Sequence, residues 1–148
     1  MFYGARGDRG MSLVTYIGPR TRGDLALMFS RHLKRWKLTP DGEPMIAPSS
    51  RLLPVRSGGV RAMLKIAVHG EEKLGSLLMN WWNGQGAARV LAYEADALLM
   101  ERAADGTSLG DLARNNRDDE ASRIICEVVA RLHAPRGRPP PELVPLMR

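Results

Sequence analysis

The chain has 148 residues, enough for one compact domain with its own core, and its 44% apolar and 26% charged content is ordinary for a soluble globular protein. A single cysteine excludes an internal disulfide framework and fits a reducing cytoplasm, and no apolar run approaches the ~18 residues of a membrane span. The net charge of +6 invites a nucleic-acid reading, but residues 1–35 hold seven Lys/Arg against two Asp/Glu, which leaves fifteen against fourteen in 36–148.

The basicity therefore belongs to a leader, residues 1–22, which is rich in Gly and Arg and lacks periodicity. A solvated, partly disordered segment is favoured there over a nucleic-acid arm. Phe2 to Arg9 carries two arginines, an aspartate and two glycines with no apolar stretch, so a signal peptide is not expected. Met28 offers an alternative translation start. From Asp24 the pattern turns helical: Leu25, Met28, Phe29, Leu33 and Trp36 recur on one face, with Asp24 placed to cap the N-terminus.

The run TPDGEP at 39–44 is a turn by composition. Three β-like runs follow, Met45–Pro48, Arg51–Arg56 and Arg61–Ala67, and the SerGlyGly at 57–59 suits a hairpin between the last two. Helical spacing returns over about 70–82, with Leu74, Leu77, Leu78 and Trp81 on one side, and NGQG at 83–86 ends it. Gly84 and Gly86 follow a helix instead of preceding one, so they read as turn glycines and not as a phosphate loop. Two more strands are expected at Ala87–Tyr93 and Ala97–Ala103, then a loop through Asp105 and Gly106. The clearest helix begins at Asp118, Asp119 and Glu120, where acidic residues suit the positive end of the helix dipole. It carries Ala121, Ile124, Ile125, Val128, Val129 and Leu132 as its stripe and stops at Pro135. Cys126 is read as core and His133 as a C-cap or core histidine. The ending GRPPPELVPLMR reads as a linker with a new helix beginning. No internal repeat is visible. The order is that of an α+β fold, five strands with one helix after the third.

Lys65 is the sharpest residue. It stands in AMLKIA, among apolar neighbours, where an unpaired ammonium is costly. In phosphoryl-transfer enzymes a strand lysine grips nucleotide phosphates and is steered by a helix glutamate. Glu71 and Glu72 open the next helix. On pattern alone, a lysine reaching out to solvent fits equally well. Trp81 and Trp82 could stack nucleobases, but at the end of an amphipathic helix packing is the better reading.

AMLKIA, the run WWNGQGAARVLAYEADALLMERA and EVVARLHAPRGRPPPEL resemble streptomycin 6-kinases, members of the wider aminoglycoside and hydroxyurea kinase family. RWKLTPDGEP and SSRLLPVR fit the same family's opening, so the resemblance covers residues 31–146. It implies a protein-kinase-like N-terminal lobe over 23–103, and over 104–148 a hinge and the first helices of a larger lobe. It implies ATP with Mg2+ as cofactors and an aminoglycoside, streptomycin, as substrate. Carried over residue by residue, Lys65 would contact the α- and β-phosphates. Glu72 would pair with it, Glu71 being second choice. Ser49 and Ser50 would belong to the loop covering the phosphates. The run LLMERA would be the hinge between lobes, where Glu101 and Ala103 would offer backbone groups to the adenine edge, with Met100 bordering the base.

The family's catalytic loop of the HGDxHxxN kind holds an aspartate for the attacking hydroxyl and an asparagine for magnesium. No such string occurs in these 148 residues. The chain is therefore expected to be an inactive fragment lacking metal ligands and drug pocket. The rival readings are a non-catalytic nucleotide-binding or interaction module and a basic nucleic-acid binder.

Overall fold

A computed structural model describes residues 22–103 and 108–142. The leader before residue 22, the loop at 104–107 and the end from 143 lie outside the described residues, and with them the expectations made there. The first helix, α1 (Arg22–Arg35), starts two residues before the expected cap, so Asp24 lies inside its first turn and not ahead of it; Asp24 there and His32, Lys34 and Arg35 in the last turn suit the helix dipole. Leu25, Phe29 and His32 are buried along one stripe. The chain leaves the helix through Lys37, which takes a left-handed backbone conformation (φ 52°).

Six antiparallel strands form one sheet: β1 (Leu38–Pro40), β2 (Met45–Ile46), β3 (Ser50–Ser57), β4 (Val60–Ala67), β5 (Val90–Glu94) and β6 (Ala97–Glu101). Their order is β1-β3-β4-β6-β5, with β2 also beside β3. The sixth strand corrects the expectation of five. Leu38–Pro40, part of it read as turn, pairs with Val55–Ser57 as the first half of an edge strand that the DGE turn interrupts. An edge tolerates Pro40, whose missing N–H costs no ladder bond there. Between β3 and β4, Gly58 (φ 55°) and Gly59 (φ 83°) make the two-residue hairpin that SerGlyGly suggests, since such a turn needs positive φ at both central positions. The two later strands are shorter than read, starting at Val90 with an irregularity before Ala92 and ending at Glu101.

Strand alternation gives the sheet two different faces. Leu53, Val55, Ala62, Leu64, Ile66, Ala97 and Leu99 pack with Leu25 and Phe29 of α1 into the main core. The other face carries helix α2 (Gly70–Trp82), packed on β4 and β5. Its most buried side chain is Ser76, whose hydroxyl donates to the Glu72 carbonyl (3.1 Å), while Leu74, Leu77, Leu78 and Trp81 are half-buried.

A short helix, α3 (Leu109–Arg114), follows in a stretch to which sequence reading assigned no element of its own. Ser108 and Asp111 form a reciprocal capping box, and Leu112 is buried. The last helix, α4 (Asp118–His133), has the expected bounds. Two readings on it are corrected. Cys126 is exposed, because at about 100° per residue it points away from the covered line of Ala121, Ile124, Val128 and Leu132. His133 is exposed at the helix end and is neither core nor cap, the C-cap being Ala134. Of the stripe itself, Ala121 is buried against α3, whereas Ile125 and Val129 are 48% and 44% exposed.

Candidate functional site

The face opposite α1 carries Lys65. Across β3, β4 and β6, Leu52, Lys65 and Leu98 are register partners, and the next row on the same face is Pro54, Met63 and Met100. Lys65 alternates with Leu64 and Ile66, which belong to the α1 core, so it points the other way, toward α2. There its ammonium forms an ion pair with Glu72, each side chain 20% exposed. Glu72 also accepts a hydrogen bond from the Ser49 hydroxyl (2.9 Å). One carboxylate thus joins α2, β4 and the β2–β3 loop. The structure brings together Lys65, Glu72 and Ser49. For Glu71, only its place in the first turn of α2 is described.

Glu72 is held below the usual carboxylate range, first by its hydrogen bond to Lys65 and also by Ser49, with partial burial pulling the other way. A lowered folded-state pKa contributes stability above the ordinary value of about 4.3, and that contribution is lost as pH falls through the lower folded value. The Glu72 carboxyl, followed by its carbon chemical shift, should therefore titrate below a free glutamate. Lys65→Met should raise the midpoint, and a wild-type midpoint at or above that of free glutamate would show that the pair does not form.

The loop preceding β3 is fixed from several sides. The Ala47 amide donates to the Ser50 carbonyl (3.0 Å) and the Val68 amide to that of Ser49 (2.9 Å). The buried Arg51 guanidinium donates to the carbonyls of Ala47 (2.8 Å) and Ser50 (3.0 Å). Ser50 is the buried first residue of β3, paired with Ala67, so Ser49 alone stands in the loop beside Glu72. Sequence reading missed Arg51, although a signal was present, a cation directly before the apolar run Leu52–Val55.

The other predicted contacts lie two to five positions beyond Leu98, the register partner of Lys65 on β6, a distance of ~7–17 Å along an extended chain. Met100 is half-buried on the Lys65 face, in register with Met63. Glu101 donates its amide to the Arg89 carbonyl (2.9 Å) and accepts the Arg89 amide on its side chain (2.8 Å). Ala103 lies beyond the last register pair, Ala62 with Glu101. A cavity of about 530 Å3 opens at this end of β6, lined by Glu101, Arg102 and Ala103, by the glycine turn at Gly84 and Gly86, and by Val128 and Arg131 of α4.

That turn is pressed against α4. Gly86 has φ 87°, and a Cβ there would come within 3.1 Å of Arg131 and 3.2 Å of Leu132. Beside it the two tryptophans pack as expected. Trp82 donates from its indole nitrogen to the Leu132 carbonyl (3.2 Å), and the Arg136 guanidinium lies 4.5 Å from the centre of the Trp81 ring.

The comparison with known proteins bears out the resemblance. Residues 35–148 match the family described as aminoglycoside/hydroxyurea antibiotic resistance kinase. This chain belongs to that family. It is also 54% identical, over 114 residues, to a streptomycin 3''-kinase of Klebsiella pneumoniae. The match covers 77% of this chain and 43% of that protein, so the chain spans less than half the relative's length. Its α+β architecture, an antiparallel sheet with α2 beside the lysine strand, is that of the kinase-like N-terminal lobe expected of the family. Among the described residues no helix is long and apolar enough to cross a membrane, and no three His, Cys, Asp or Glu side chains gather as a metal site.

Proposed function

We propose that this chain is the ATP-binding part of an aminoglycoside O-phosphotransferase whose acceptor is a hydroxyl of streptomycin. The observation that carries the reading is the Lys65–Glu72 ion pair on the face opposite α1, with Ser49 as third member. A lysine fixed by a carboxylate presents its positive charge in one place, which suits a nucleotide's phosphates and not a mobile counterion. The residues present fit ATP. Lys65 would hold the α- and β-phosphates, Ser49 would lie under the covering loop, and the backbone of Glu101 and Ala103 would meet the adenine edge beside Met100. Bound ATP supplies the phosphoryl group and magnesium offsets its charge. This chain's own residues bind and orient. A cytoplasmic setting, where ATP is found, goes with this reading.

The drug's name enters through the relative, a streptomycin kinase. The residues that would activate the hydroxyl and ligate magnesium belong to the HGDxHxxN string that these 148 residues do not contain. Purified chain should therefore bind ATP in a calorimetric titration, yet give no phosphorylated streptomycin above background with ATP and magnesium. Failure to bind ATP would overturn the nucleotide reading. Multiple-turnover product that disappears in Lys65→Ala would overturn the claim that these residues do not complete the transfer.

A further inference from the structure

Arg102 stands between Glu101 and Ala103, the two residues assigned above to the adenine edge, yet its side chain turns back toward the sheet and is only 14% exposed. Among the described residues, the partners of its guanidinium all belong to Asp41, sixty-one positions earlier. Nη2 donates to Asp41 Oδ2 (2.5 Å) and Nη1 reaches the Asp41 carbonyl (3.4 Å). Its Nε is buried without a partner. One aspartate therefore anchors the cation.

Asp41 is itself fixed. It begins the turn that interrupts the edge strand between β1 and β2. Its amide donates to the Pro54 carbonyl (2.8 Å), and its Oδ1 accepts from Arg56 Nε (3.1 Å). The next residue, Gly42, lies against the Pro54 ring, where a Cβ would come within 3.1 Å. The two guanidinium groups, that of Arg102 first, hold the Asp41 carboxyl below the usual carboxylate range, so it is ionised at neutral pH.

The strand ladder stops at Glu101, whose partners are Ala62 on one side and Arg89 on the other. Past it, the backbone at 102–103 has no register partner among the described residues. What ties it to the sheet is the Arg102 side chain. We propose that Asp41 is a positioning residue for nucleotide binding: by clasping Arg102 it sets where the backbone at Glu101 and Ala103 presents itself to the base. This rests on the nucleotide reading above and adds a residue that touches neither phosphate nor adenine.

The test separates base from phosphate on the purified chain. Asp41→Asn keeps the shape and removes the charge. It should weaken ATP binding about three- to tenfold, the range of one partly exposed charge-assisted hydrogen bond. Binding of inorganic tripolyphosphate, which has no base, should be unchanged. Hydrogen exchange of the Glu101 to Ala103 segment should quicken in Asp41→Asn, and Asp41→Glu should restore part of both effects. Arg56→Ala, which removes the other partner of Asp41, should leave ATP binding close to wild type.

Equal weakening of ATP and tripolyphosphate would mean general loosening and would overturn the proposal. So would unchanged ATP binding, or unchanged exchange at the hinge. Failure of the nucleotide reading shows differently, as ATP binding that is absent from wild type or indifferent to Lys65→Ala. The base-positioning proposal then falls with it, and the exchange arm still decides whether the clasp fixes the hinge.

Discussion

Lys65→Ala should weaken ATP binding by about ten- to a hundredfold, the loss expected when a charged group's hydrogen bonds to an anion are removed. The change takes away the cation and leaves Glu72 behind, hydrogen-bonded to Ser49. A bare carboxylate facing the phosphates adds repulsion to the lost attraction, so the upper part of the range is expected. Glu72→Gln should cost less, because the ammonium remains and only its orientation is freed. The ranking, Lys65→Ala worse than Glu72→Gln, distinguishes a phosphate-gripping lysine from one whose role is to tether α2. If the pair served only to hold α2 on the sheet, both substitutions would lower stability to a similar degree and neither would discriminate between ATP and an unrelated ligand. Thermal unfolding of each variant, beside the titrations, separates the two. The lysine stem lies along a face shared with Met63, Leu52 and Leu98, so Lys65→Met, which keeps the stem, should lose less stability than Lys65→Ala while losing affinity.

The parts of this arrangement legible in the sequence were those written locally. Helix α1 and α2 followed from apolar spacing, and α4 from that spacing plus its acidic first turn. The β3–β4 hairpin followed from two adjacent glycines, and Lys65 from being a cation in an apolar strand. The pairing with Glu72 needed the family resemblance, since spacing alone left Glu71 open and left solvent open to the lysine. Other features were hidden for physical reasons. Leu38–Pro40 is a strand only because Val55–Ser57 lies beside it; its own composition says turn. Helix α3 is too short for periodicity, and its signal was the cap Ser108 with Asp111 three residues on. The Asp41–Arg102 clasp joins two charged residues that are unremarkable in their own segments, and only the fold brings them together. Cys126 was misplaced because an apolar pattern tells which residues prefer burial and not which side of the helix is covered.

Phe29→Ala should lower the free energy of unfolding by about 3–5 kcal/mol, the usual cost of emptying an aromatic site in a packed core. The ring is 2% exposed and shares its cluster with Val55, Leu64 and Leu99, the side of the sheet turned away from Lys65. The ion pairs between α1 and the sheet edge made by its arginines are too exposed to compensate. Arg31 and Arg35 both bridge to Glu94, but their side chains are 68% and 60% exposed, and such pairs contribute about 0–1 kcal/mol. Against a total of about 5–15 kcal/mol for a domain, the loss should be plain in urea unfolding as a lower midpoint with little change in slope. Ile125→Ala on α4 removes a large aliphatic side chain from a position 48% exposed, and should shift stability by no more than about 0.5 kcal/mol. Equal effects of the two would contradict the placement of the core under α1. Because Phe29 lies across the sheet from the ion pair, Phe29→Ala below its unfolding transition should bind ATP as wild type does. Lys65→Ala should show the reverse emphasis, a large loss of affinity with a smaller loss of stability than Phe29→Ala. The sheet thus divides the labour by face. Leu64 and Ile66 hold β4 to α1, and Lys65 between them is free to work on the other side.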